Sequence, residues 1–161
     1  MVGRVRRKAT VVAIAAAAAG LVGACGSSPA SPRPSPAATT IAVVSNPKLG
    51  MILVDGHGRT VYLFVADQGK VSSCYDACAS AWPPVLSPVA PHPGDGAQPD
   101  LLGVTTRTDG SSEVTYGGHP LYYFVQDKKA GDTKGQDVEQ FGGLWRAVSP
   151  GGTAVVQPVS T

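Results

Sequence analysis

Hydrophobic positions along the chain fall into one unbroken run near the N-terminus and several strand-length runs after residue 40. The first run, Thr10 to Leu21, follows the basic residues Arg4, Arg6, Arg7 and Lys8. It falls short of the roughly 20 apolar residues that span a bilayer, so it reads as the core of a cleavable signal peptide. The later runs alternate. In Tyr62-Leu63-Phe64-Val65-Ala66-Asp67 a period of two puts Tyr62 and Phe64 on one face and Leu63 and Val65 on the other, and Tyr122-Tyr123-Phe124-Val125-Gln126-Asp127 repeats the pattern. Apolar residues on both faces predict strands that are central and covered.

Each of these runs is preceded by a second one across a glycine-bearing reversal. Met51 to Val54 and Thr60 to Val65 flank Asp55-Gly56-His57-Gly58, while Val114 to Tyr116 and Leu121 to Val125 flank Gly117-Gly118. Both predict β-hairpins. Pro120 lacks an amide donor and predicts that its strand starts at a sheet edge. Sliding the chain by 60 residues aligns 49–67 with 109–127 and matches Gly50/Gly110, Val54/Val114, Gly58/Gly118, Tyr62/Tyr122, Phe64/Phe124, Val65/Val125 and Asp67/Asp127. Chance supplies on the order of one or two identities over such a window. Trp82 and Trp145 extend the repeat with a small shift. The expected fold is therefore mainly β: a small domain over 41–161, sandwich-like or barrel-like, with repeat 1 at about 49–85 and repeat 2 at about 109–148 and a short helical turn near Cys74 to Trp82.

The N-terminal run ends in Leu21-Val22-Gly23-Ala24-Cys25, which resembles the bacterial lipobox. Small residues before the Cys let a peptidase pass the backbone, and the thiol accepts a diacylglyceryl group. The expected organisation is a signal peptide over 1–24, a Cys25 carrying diacylglyceryl and palmitate-type chains, and a stalk to residue 40. Arg6-Arg7 lacks the apolar followers of a twin-arginine signal, so ordinary secretory export is expected. Residues 26–40 are rich in Pro, Ser and Ala without hydrophobic periodicity and cannot bury a core. Removing the leader also removes four basic residues and turns the formal +2 into a slight excess of acid. With no basic patch left, nucleic acid is excluded as a partner and the membrane is expected through the lipid.

The three cysteines leave one even pair, Cys74 and Cys78, once Cys25 carries lipid. An oxidising compartment favours a disulfide between them. One helical turn over Tyr75-Asp76-Ala77 would set their Cα atoms roughly 6 Å apart, within bridging range. Redox exchange and metal or haem binding stay open as alternatives; His119, with Cys74, Cys78 and Asp127, is the candidate metal set. Asp76 between the cysteines disfavours a reactive thiolate. Asp67 and Asp127, just after their strands, are expected to fix turns through backbone N–H groups. Tyr62, Phe64, Trp82, Tyr122, Tyr123, Phe124 and Trp145 are expected in the core, with a ligand groove as the alternative.

The motifs Tyr62/Phe64/Asp67 and Tyr122/Phe124/Asp127, the segment Cys74 to Pro84 and Gly117-Gly118-His119-Pro120-Leu121-Tyr122-Tyr123 together resemble the bacterial secreted-repeat family known as Lipoprotein-15, with its Tyr-x-aromatic-x-x-Asp signature. The resemblance covers residues 49 to 150 and implies an exported lipoprotein without an assigned activity. No phosphate-binding loop, Gly-x-Ser-x-Gly elbow or His-Glu-x-x-His motif occurs. The expected function is a non-catalytic binding or envelope-structural module held at the extracytoplasmic face of the cell membrane, with no cofactor; the alternative is a redox, metal-handling or haem-handling lipoprotein using Cys74, Cys78 and His119.

Overall fold

Alternating residues and glycine turns generate short strands that need partners from elsewhere in the chain, and the architecture follows from where those partners lie. The computed structural model describes residues 37–157, so the expected leader, Cys25 and most of the stalk lie outside the described residues. The strands are β1 (Thr40–Asn46), β2 (Gly50–Asp55), β3 (Tyr62–Phe64), β4 (His92–Pro93), β5 (Leu102–Thr106), β6 (Ser112–Tyr116), β7 (His119–Pro120), β8 (Val138–Gln140) and β9 (Gly143–Ala147). One helical turn, α1 (Ala77–Ala81), and a 3-10 turn, Pro99–Leu101, complete the described elements. The strands form three open sheets in the orders β2-β1-β4, β3-β9-β8 and β5-β6-β7, antiparallel apart from β1 with β4. The fold is mainly β and none of these sheets closes into a barrel.

Both expected hairpins exist but are secondary contacts. The first is reduced to a bridge between Val54 and Thr60, because β2 pairs along its whole length with β1. The second joins β6 to β7 over two residue pairs, while β6 pairs fully with β5. Pro120 does sit on an edge strand. Coverage of both strand faces is corrected at the strand ends: Tyr62, Leu63, Phe64 and Phe124 are buried, but Val65 is 51% and Val125 39% exposed. The amides of Asp67 and Asp127 fold back onto the carbonyls of Phe64 and Phe124, ending the extended stretch before either valine can be covered.

The two copies face each other across a local two-fold axis. Tyr62 N–H donates to Tyr122 C=O at 2.8 Å and Tyr122 N–H donates to Tyr62 C=O at 2.9 Å; an antiparallel contact between equivalent residues has its dyad between them. The 60-residue offset holds at these tyrosines but not on the strand before them. Leu53 donates to Val148 and accepts from Val61, as Val114 donates to Val85 and accepts from Leu121. Leu53 is thus the counterpart of Val114, and Ile52 that of Glu113. The first turn is one residue longer, which displaces the Gly50/Gly110 and Val54/Val114 matches by one position.

Candidate functional site

The signature residues meet at the axis. Tyr62 Oη donates to Asp127 Oδ2 and Tyr122 Oη donates to Asp67 Oδ2, both at 2.6 Å, so each tyrosine is held by the aspartate of the other copy. The second carboxylate oxygens do the expected turn work: Asp67 Oδ1 accepts the Ser73 N–H and hydroxyl, and Asp127 Oδ1 accepts the Lys134 N–H. Burial first, and then Asp127 at Tyr62 and the Glu113 and Asp67 carboxylates at Tyr122, push both phenols far above their ordinary range. Beside these bonds runs a four-ring stack, Phe124 on Trp82 on Trp145 on Phe64, with each successive centroid 4.1 Å from the last. Tyr62 and Tyr122 pack edge-on against Trp82 and Trp145. Gln140 ties both indoles, its Oε1 accepting from Trp82 Nε1 and its carbonyl from Trp145 Nε1. Six of the seven candidate aromatic residues are buried in one cluster and form core, while the seventh, Tyr123, is half-buried and borders a surface depression.

Cys74 and Cys78 form a disulfide with Cα atoms 5.2 Å apart. The helical turn starts only at Ala77, and Asp76 before it takes a left-handed φ of 51°. That bend, in place of the expected continuous turn, brings Cys74 to its partner. Cys74 is fully buried and Cys78 is 7% exposed, against the aromatic cluster. Of the candidate metal set, the two sulfurs are thus bonded to each other, Asp127 is bonded to Tyr62 and Lys134, and His119 lies on β7. Among the described residues no three His, Cys, Asp or Glu side chains gather as a metal site.

One cluster breaks the two-fold symmetry. Where repeat 1 places Ile52 in the core, repeat 2 places Glu113, fully buried. Arg107 Nη1 donates to Glu113 Oε2 and to Ser72 Oγ, each at 2.8 Å, and Nη2 donates to Cys74 C=O at 2.6 Å. Ser72 Oγ lies 2.7 Å from Tyr122 Oη, which carries the chain on to Asp67. The guanidinium also stacks over the Tyr75 ring at 4.3 Å. Among the described residues Glu113 Oε1 and Arg107 Nε have no hydrogen-bond partner. None of Ser72, Arg107 and Glu113 belongs to a recognisable motif in the sequence, although a glutamate opposite an aliphatic residue of the twin copy is a signal of a buried charge.

Burial pushes the Glu113 carboxyl up from its ordinary 4.5 to about 7, against the pull of Arg107 and with a smaller push from Asp67. A carboxyl with a raised folded pKa stabilises the fold when protonated; that contribution is complete below pH 4.5 and is lost as pH rises through 7. The wild type should therefore lose up to about 3 kcal/mol relative to Glu113→Gln between those limits. Urea midpoints of the two proteins at pH 4.5 and 7.5 test this, and parallel pH profiles would refute it.

The surface offers shallower features. One depression of about 380 Å³ lies between Val44–Lys48 and Gly131–Lys134, and another of the same volume is bounded by Ala37–Thr40, Asp55–His57 and Tyr123. In the second, Asp55 Oδ1 accepts the amides of His57 and Arg59 and Oδ2 accepts the Tyr123 hydroxyl, so the carboxylate serves the turn. Arg59 lies over the Tyr123 ring at 3.8 Å. Neither depression is lined by the ring stack, the disulfide or Glu113.

A family model described as a secreted repeat of unknown function matches residues 43–86 and 103–149, which are the two interlocked copies. No curated protein and no solved structure matches the chain.

Proposed function

This chain belongs to the Lipoprotein-15 family of secreted repeats and acts outside the cytoplasm, and from that premise we propose that it is a lipid-anchored module of the cell envelope whose role is binding or structural and involves no catalysis. The leader over 1–24 is removed, Cys25 carries the lipid, and the segment that follows links it to the β-domain, which takes in the end of the expected stalk at Thr39 and Thr40. The observation that supports this reading is the fate of the signature. Both tyrosines, both aspartates and the stacked aromatic rings are committed to one another in the interior. The motif thus maintains a shape, and recognition falls to the surface. The redox alternative draws little support from a disulfide whose Cys74 is fully buried and whose Cys78 is 7% exposed, since thiol exchange needs an accessible sulfur. A bridge closing so short a loop contributes about 2 kcal/mol.

The anchor is tested by the mass of the purified protein. The wild type should lack residues 1–24 and carry the mass of the acyl chains, and Cys25→Ala should keep the leader and gain no lipid. A Cys25→Ala protein processed to the wild-type mass would overturn the assignment.

A further inference from the structure

Strand edges are where a β-protein meets other chains, because unpaired N–H and C=O groups form a ready template. Most edges here are blocked. β2 gives its outward groups to Val148, Arg59 and Val61; β4 and β7 carry Pro93 and Pro120, and β8 carries Glu139. On β1 the outward groups of Ile41 and Val43 bond the β4 segment, through Gly94 N–H to Ile41 C=O at 2.7 Å and Val43 N–H to Asp95 C=O at 2.8 Å. Val43 pairs with Leu53 as Val104 pairs with Val114, so the corresponding edge in repeat 2 is that of β5, at Leu102 and Val104. Among the described residues nothing covers it, for the chain after β9 turns back onto Ala147 and Lys48 instead.

β5 reads Leu-Gly-Val-Thr-Thr, without a charge or a proline. Arg107 N–H to Ser111 C=O and Gly117 N–H to Leu101 C=O bracket its ladder with β6. Gly103 and Thr105 therefore bond across to β6, while Leu102, Val104 and Thr106 face away. The Leu102 N–H is already committed to Pro99 C=O. What remains open among the described residues includes the Leu102 carbonyl, both groups of Val104 and the Thr106 amide. This set is self-complementary. Turned about a two-fold axis at Val104, a second copy would accept and donate at Val104 twice, and each Thr106 N–H would meet the opposite Leu102 C=O. No charge opposes a like charge along the strand, and Val104, 45% exposed, would pack on its twin.

We infer that β5 pairs edge to edge with β5 of a second copy, joining two three-stranded sheets into one of six strands. Two five-residue strands bury only on the order of several hundred Å², below the roughly 1,200 Å² of a stable interface. The pair is accordingly weak and reversible, and confinement to a membrane surface would favour it. The pairing itself requires no anchor, so the test applies to the full mature protein wherever it fractionates.

A short bis-maleimide cross-linker applied to Val104→Cys should give covalent dimer at least tenfold above Val44→Cys, an exposed control on β1. Adding Thr106→Pro removes an amide that has no partner among the described residues, so the fold should persist while cross-linking falls to the control level. Should Thr106→Pro unfold, Val104→Lys, which sets two cations against each other at the axis, replaces it with sedimentation of the uncross-linked protein as the readout. Equal yields at Val104→Cys and Val44→Cys, or dimer that survives the proline or the lysine, would overturn the proposal. So would a cross-linked product whose mass shows a different partner on β5.

Discussion

Replacing Trp145 with alanine should lower the unfolding free energy by about 3 to 5 kcal/mol, a large part of the 5 to 15 kcal/mol available to a domain of this kind. Trp145 is fully buried, stacked between Trp82 and Phe64, and meets the edge of Tyr122. Its removal also deprives the Gln140 carbonyl of a donor. The vacated space lies beside the Trp82 ring of the other copy, where neither half can close it without moving against the other. Trp82→Ala combined with Trp145→Ala should therefore cost less than the two single losses added, since each indole is the other's partner. Urea unfolding of the three variants decides it. A loss below about 1 kcal/mol for Trp145→Ala, or strict additivity in the pair, would mean that the stack does not hold the copies together.

Arg107→Ala should be as damaging at pH 8, by about 3 to 5 kcal/mol, because the buried Glu113 carboxyl loses the cation beside it and must either stay an uncompensated charge or take up a proton. The damage should shrink below pH 5, where the carboxyl is protonated. The informative comparison is Arg107→Leu with Glu113→Ile, which restores to repeat 2 the kind of residue that Ile52 supplies in repeat 1. A buried ion pair exchanged for apolar side chains of similar size is often neutral or stabilising. The double variant should match or exceed the wild type at pH 8, and a double variant as unstable as Arg107→Ala would show that the pair is an energetic necessity of the fold. A stable double variant would leave Arg107 and Glu113 as a polar feature that repeat 2 keeps for something other than stability.

The sequence by itself determined the local and periodic features. A period of two set the alternation around Tyr62 and Tyr122, glycine pairs marked the reversals, a cluster of identities at an offset of 60 residues disclosed two copies, and the spacing of Cys74 and Cys78 allowed their bridge. These are properties of neighbouring residues, and short-range sterics suffice to read them. Which strand pairs with which was decided only in three dimensions. β1 displaced the expected hairpin partner of β2 because it offers a full-length ladder where the turn at Asp55 offers a bridge. Val65 and Val125 lost their cover once aspartate turns ended the strands. The crossing of Tyr62 to Asp127 and Tyr122 to Asp67 joins residues far apart in the chain across an axis that no local pattern encodes. Glu113 and Arg107 likewise became partners only when the one-residue difference between the two turns set Glu113 at the place held by Ile52, so that burial, which belongs to the packed whole, gave an ordinary-looking strand its charged centre.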